Sequence, residues 1–120
     1  MARRIRCRKV CQLPVSSSFI PEKPGENDSE IVLTVEEYES VRLIDKEGFS
    51  QEECGKYMEV ARTTAQMIYS NARKKIAIAL VEGRTLQIKG GTYRLCSGQE
   101  KFCGCGGCKK HKSCRGGENN

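Results

Sequence analysis

Five of the eight cysteines lie in the last 25 residues of this 120-residue chain. Four follow a C-x-C-x2-C-x5-C pattern, in a stretch whose glycines allow the backbone to close around one ion: Cys103, Cys105, Cys108 and Cys114. Thiolates favour Zn²⁺ or an iron–sulfur cluster, so we expect one of these cofactors in the tail. Further candidate ligands are Cys7, Cys11, Cys96 and His111. The alternative is a thiol-rich tail that holds no metal.

No catalytic arrangement accompanies these cysteines. The single histidine, His111, belongs to the tail, and neither a P-loop nor a G-x-G-x-x-G motif occurs. We therefore expect that the chain is not an enzyme. Cys54 stands at an apolar position of a predicted helix, where a free cysteine behaves as a small buried residue rather than as a ligand.

Residues 50–80 predict a helix, a tight turn and a longer second helix. Ser50 and Glu53 form a capping box at the start of the first helix. Gly55 allows the second helix, which is expected to begin near Arg62, to approach closely. The second helix has apolar residues at spacings of three and four, which indicates one buried stripe. These residues are Ala65, Ile68, Ala72, Ile76 and Ala79.

The opposite stripe of the second helix is polar and basic, as expected for a helix in the major groove of DNA. The expected DNA contacts on it are Arg62, Thr63, Thr64, Gln66, Ser70, Arg73, Lys74 and Lys75. Arg62, Thr63 and Gln66 would read base edges. The three basic residues at 73–75 would hold phosphates. The alternative is a helical hairpin that packs only against another protein.

Charge is distributed unevenly along a chain whose net charge is +6. Residues 1–21 carry five basic and no acidic side chains, residues 22–59 have a net charge of −8, and residues 60–120 have a net charge of +9. A basic arm and a basic helix favour a polyanionic partner. Arg3, Arg4 and Arg6 of the arm are further candidate DNA contacts; a solvated chain end is the alternative.

The segments SQEECGKYM, VARTT and NARKKI resemble the helix-turn-helix of the sigma-70 region 4 superfamily. The resemblance implies that the two helices bind double-stranded DNA. The sequence departs from that pattern at Glu59, because the turn position is usually glycine.

Other elements complete a three-helix core. Residues 31–33 predict a strand, and Thr34 and Glu37 form a second capping box before a helix that ends at Gly48. Residues 85–89 and 92–95 predict two strands around the Gly90-Gly91 turn, and their partners stay open: each other, or residues 31–33. The expected fold class is mainly α, with a small β element and a flexible Cys-rich tail. The expected organisation is an arm and connector (1–30), a helix-turn-helix domain (31–95) and the tail (96–120).

A wider resemblance rests on CRKVCQLP, VLTVEEYESVRLIDKEGFSQEE and ALVEGRTLQIKGG. These segments look like a family of small, functionally uncharacterised prokaryotic proteins predicted to bind DNA. Some members are joined to a domain similar to iron–molybdenum cofactor assembly proteins, which implies a link to metal or redox physiology.

These observations predict a sequence-specific DNA-binding protein that regulates transcription. A second hypothesis is the same regulator gated by metal or redox state at the cysteines. The alternative is a metal carrier or assembly factor that uses its helices for protein contacts. The expected partner is double-stranded DNA, and a homodimer stays open. No apolar run reaches the roughly 20 residues of a membrane span, and no signal peptide follows the basic N-terminus. We therefore expect a cytoplasmic protein without membrane contact.

Overall fold

The computed structural model describes residues 8–11 and 13–95, in which short strands precede and follow a run of helices. Three strands precede the helices: β1 (Arg8–Val10), β2 (Ser18–Phe19) and β3 (Ile31–Leu33). The helices are α1 (Val35–Val41), α2 (Gln51–Met58) and α3 (Arg62–Glu82). The strands β4 (Leu86–Ile88) and β5 (Tyr93–Leu95) follow them. The described residues thus form three helices with small sheets, as the sequence predicted at this level.

Both predicted capping boxes are present. The Thr34 hydroxyl accepts a hydrogen bond from the backbone N–H of Glu37, and the backbone N–H of Thr34 donates to the Glu37 carboxylate. Ser50 and Glu53 form the same pair of bonds at α2. The first helix continues beyond Val41 as a π-helical segment, Arg42–Lys46. It ends before Gly48, whose φ of 85° places it in the left-handed region.

The predicted strands 85–89 and 92–95 do not pair with each other. Leu86–Ile88 lies between Ser18–Phe19, which is antiparallel to it, and Ile31–Leu33, which is parallel. Tyr93–Leu95 instead pairs in parallel with Arg8–Val10, in the register Arg8 to Tyr93. Gly90 and Gly91 therefore carry the chain from one sheet to the other and do not form a hairpin turn. Residues 8–10 and 18–19, expected to be arm and connector, supply strands.

The core has two apolar clusters. The first lies beneath α2 and contains Cys11, Leu43, Cys54, Tyr57 and Met58, with Phe49 packed against it. The second lies between the three-stranded sheet and α3 and contains Leu33, Ala72 and Ile88. α3 packs against both α1 and α2, so its orientation is fixed along most of its length.

Acidic residues on α1 connect it to the two-stranded sheet. Glu39 is fully buried, binds Arg42 through two 2.8 Å contacts and accepts the backbone N–H of Cys11 at 3.0 Å. Glu36 accepts the guanidinium of Arg8 at 3.1 Å and the backbone N–H of Thr92 at 3.0 Å. Since every buried carboxylate needs such partners, these contacts fix β1 and β5 against α1.

Candidate nucleic-acid interface

The connection between α2 and α3 sets where the candidate interface begins. Glu59 ends α2 in the left-handed conformation, with φ 63° and ψ 44°, and its N–H reaches the carbonyl of Lys56. The N–H of Val60 then donates to the carbonyl of Gly55 at 2.9 Å. A Cβ on Gly55 would lie 3.4 Å from the Cβ of Ala65, so the small residue permits the close approach that the sequence predicted. A glutamate thus occupies the conformation in which glycine was expected.

The burial of α3 follows the predicted stripe. Ala65 and Ala72 are fully buried, and Ile68 and Ala79 are nearly so. Ile76 is half-buried and packs against the cluster beneath the sheet. The apolar spacing therefore gave the correct helical register for α3.

The other side of α3 is open to solvent. Its exposed residues include Arg62, Thr63, Gln66, Met67, Ser70, Asn71, Arg73 and Lys74, and Thr64 is half-buried beside them. No acidic residue occurs in α3 before Glu82. Ala61, which precedes the helix, has no side-chain acceptor to cap the first N–H groups. This face combines cationic groups, hydroxyls and two amides, which are the groups that bind phosphates and base edges.

Arg73 is oriented by two neighbours, Tyr69 and Asp45, and its Nε lies 3.9 Å from the Asp45 carboxylate. Its NH1 donates to the hydroxyl of Tyr69 at 3.1 Å, and the guanidinium carbon lies 5.5 Å from the Tyr69 ring centre. The Tyr69 hydroxyl donates to Asp45 at 2.8 Å. Burial, followed by that hydrogen bond, raises the pKa of Tyr69 above its usual value, so the hydroxyl keeps its proton. Sequence reasoning missed both partners, although an aromatic residue four positions before an arginine is a recognisable helical pair.

Lys75 was predicted to hold a phosphate together with Arg73 and Lys74. The structure turns its side chain toward α1, where Nζ lies 2.8 Å from Glu37, whose carboxylate completes the capping box of that helix. A phosphate contact by Lys75 would therefore require this ion pair to open.

The basic arm is partly used within the fold. The side chain of Lys9 is buried, and its ammonium lies 4.7 Å from the ring centre of Tyr57. Arg8 binds Glu36. The arm residues predicted to contact DNA, Arg3, Arg4 and Arg6, lie outside the described residues.

The described cysteines are in the apolar core. Cys11 and Cys54 are almost completely buried in the cluster beneath α2. Burial raises the pKa of the Cys54 thiol to about 12, as expected for the small buried residue that the sequence predicted. The other predicted ligands lie outside the described residues: Cys7, Cys96, Cys103, Cys105, Cys108, His111 and Cys114. Residues 8–11 and 13–95 contain no group of three acidic, histidine or cysteine side chains suited to a metal.

No helix in the described part of the chain is long and apolar enough to cross a membrane.

Comparison with known proteins gives a family but no activity. A family model described as "Protein of unknown function DUF134" matches residues 1–96. A UPF0251 protein of Desulfitobacterium hafniense is 52% identical over 121 residues, which cover 98% of this chain and 97% of that protein. A UPF0251 protein of Halothermothrix orenii is 43% identical over 107 residues, or 88% of this chain and 79% of the relative. No solved structure matches the chain.

Proposed function

The chain belongs to the family described as "Protein of unknown function DUF134", and we propose that this member of it is a sequence-specific DNA-binding protein that regulates transcription. The observation that carries the proposal is the acid-free, solvent-exposed face of α3 from Arg62 to Lys74. This face lies opposite a stripe whose burial fixes the helix in place.

The arrangement of α2 and α3 supports this proposal. Two helices joined by three residues, with α2 and α1 both packed behind α3, are the arrangement in which a helix-turn-helix presents its second helix to the major groove. In this reading the left-handed Glu59 replaces the usual glycine of the turn, and the fold is similar to sigma-70 region 4.

The chemistry of the exposed face assigns roles within it. Arg62, Thr63 and Gln66 lie in the first two turns of α3, the part of a recognition helix that reaches base edges. An arginine can bind guanine and a glutamine can bind adenine through two hydrogen bonds each. Arg73 and Lys74 lie two turns further along the helix, where they would neutralise phosphates and set the salt dependence of binding.

The experiment is selection of bound sequences from random double-stranded DNA, followed by affinity measurements on three variants. Gln66→Ala should lose about 1–3 kcal/mol of discrimination at one base pair. Lys74→Ala should lower the affinity for all DNA sequences by a similar factor and make the slope of log affinity against log salt concentration shallower by about one. Lys89→Ala is the matched control, because Lys89 follows the strand β4 on the sheet behind the buried side of α3.

Two results would contradict the proposal. One is that selection enriches no sequence. The other is that Gln66→Ala and Lys74→Ala, both folded, bind the selected DNA as well as Lys89→Ala does.

A further inference from the structure

An apolar cleft lies at the end of α3 remote from the candidate DNA face. Its volume is about 390 Å³, and it opens between the residues of β2 and the last two turns of α3. Its walls include Phe19, Ile20, Pro21, Ile76, Leu80 and Leu86. Leu80 lies fourteen residues beyond Gln66, or roughly 21 Å along the helix axis.

The rim of the cleft exposes large apolar side chains. The exposed fractions are 54% for Phe19, 74% for Ile20 and 78% for Leu80, and Val81 in the same helical turn is 85% exposed. If large apolar residues have about 150–200 Å² each, these fractions amount to on the order of 500 Å². This is more than half of the roughly 800 Å² that each partner buries in a stable protein–protein interface.

The described residues of the cleft offer no free charge to a ligand. Among them Arg84 is the one cationic lining residue, and its side chain is only 15% exposed. The guanidinium donates to the carbonyl of Ser29 at 2.8 Å, to the Ser29 hydroxyl at 2.7 Å and to Glu82 at 3.0 Å. Since these contacts already occupy it, an anionic ligand would find no partner, and the occupant must be apolar.

We propose that this surface, the cleft with Phe19, Ile20, Leu80 and Val81, binds the same surface of a second copy of the chain. An isologous dimer needs a patch that contains both a cavity and protruding side chains to fill it, and this surface contains both. Two chains of net charge +6 repel each other, so they associate best where neither presents a free charge. Apolar side chains of one copy fill the cleft of the other, and the reverse contact follows by symmetry.

The dimer adds an operator geometry to the proposed function. That geometry rests on the proposal that α3 binds DNA. Two α3 helices that meet near Leu80 hold their Gln66 residues up to roughly 40 Å apart, and tilting the helices brings them to the ~34 Å between successive turns of one groove face. The operator would then be an inverted repeat with half-sites about 10 base pairs apart, centre to centre.

The test is the molar mass of the full-length chain by sedimentation over a concentration series. The parent chain should be a dimer, and Leu80→Lys and Ile20→Lys should each weaken dimerisation by about tenfold or more, because they bring like charges together. Leu80→Lys suits the helix, since a cation near the C-terminus of a helix is favourable. Circular dichroism should be unchanged.

Met67→Lys is the matched control. It places the same new charge on the same helix, at an exposed apolar residue of the DNA face. It should remain a dimer.

Three outcomes would overturn the dimer: a parent chain that stays monomeric, a dimer that both cleft substitutions leave intact, or an assembly larger than a dimer. DNA binding is measured separately. Leu80→Lys should still bind a single half-site while losing its preference for the inverted repeat. A dimer that binds no DNA would contradict the proposed function but not the proposed interface. A monomer that binds one half-site would contradict the proposed interface but not the proposed function.

Discussion

The hydroxyl of Tyr69 donates to the carboxylate of Asp45 across 2.8 Å, although 24 residues separate them in the chain. This bond joins α3 to the π-helical segment that extends α1. Because the same hydroxyl accepts from Arg73, the interaction also decides where that guanidinium points. An interaction of the scaffold thus orients a side chain of the proposed DNA surface.

Tyr69→Phe removes this hydroxyl and keeps the ring. The free energy of unfolding should fall by about 0.5–1.5 kcal/mol, the usual net contribution of one hydrogen bond. Affinity for the selected DNA should also fall, since Arg73 loses the hydrogen bond to the hydroxyl and keeps only the ring and the Asp45 carboxylate at 3.9 Å. Thermal unfolding and DNA titration measure the two effects. If neither quantity changes, the hydroxyl does not position Arg73.

Ile68→Ala should destabilise the protein by about 2–5 kcal/mol, because Ile68 is 4% exposed and its truncation leaves a cavity. Met67→Ala is the control: it truncates the preceding residue of the same helix, which is 52% exposed. That change should stay within about 0.5 kcal/mol. Chemical denaturation of both variants gives the comparison, and equal losses would show that the buried stripe of α3 is misassigned.

Glu39→Gln should cost up to about 3–5 kcal/mol of stability, since it removes the charged partner that binds Arg42 at 2.8 Å and leaves that buried guanidinium only Glu47, at 3.6 Å. Glu52→Gln removes the same charge from an exposed pair with Lys56. That loss should not exceed about 1 kcal/mol. Similar losses in the two variants would mean that the Glu39 contacts do not hold α1 to the first strand.

Cys54 should resist alkylation in the folded protein and react after unfolding. Its folded-state pKa of about 12 lies above its ordinary value of 9.0, so between these pH values the unfolded chain releases this proton and the folded chain does not. Stability should therefore fall as pH rises through that window. Cys54→Ala should show a smaller loss between about pH 9 and 11 than the parent chain. Rapid labelling of Cys54 under native conditions would contradict its burial.

The tail cysteines Cys103, Cys105, Cys108 and Cys114 remain predicted ligands of one metal. Metal analysis of reduced protein should give one Zn²⁺ ion or one iron–sulfur cluster per chain, and much less after Cys105→Ser combined with Cys108→Ser. Sub-stoichiometric metal in the parent chain, or full metal in the double variant, would exclude this site. If chelation removes the metal without changing DNA affinity, metal-dependent regulation is excluded, but the metal site is not.

Sequence reasoning succeeded where the signal lies within one helical turn. The capping residues Thr34 and Ser50 bond to atoms three residues away, and the stripe from Ala65 to Ala79 repeats every three or four residues. Gly48 ends its helix for an equally local reason. Each of these features is determined by residues within a few positions of it, so a single sequence is enough to predict it.

The remaining contacts depend on segments that are distant in sequence. Periodicity identified strands at 31–33, 85–89 and 92–95 but could not identify their partners, because the backbone N–H and C=O groups that pair strands are the same in every strand. The contacts of Glu36 with Arg8 and of Glu39 with the backbone N–H of Cys11 were not predicted, because each joins residues that are 28 positions apart in the chain. The Tyr69–Asp45 bond was missed for the same reason.

The parallel pairing of Arg8–Val10 with Tyr93–Leu95 has a consequence for the order of folding. The two strands are separated by almost the whole described chain, so their pairing closes a loop of about 80 residues and carries a large entropic cost. During synthesis the first strand leaves the ribosome early and has no partner until residues 93–95 emerge. The helices can associate before then, so the two-stranded ladder is the last of the described elements to form.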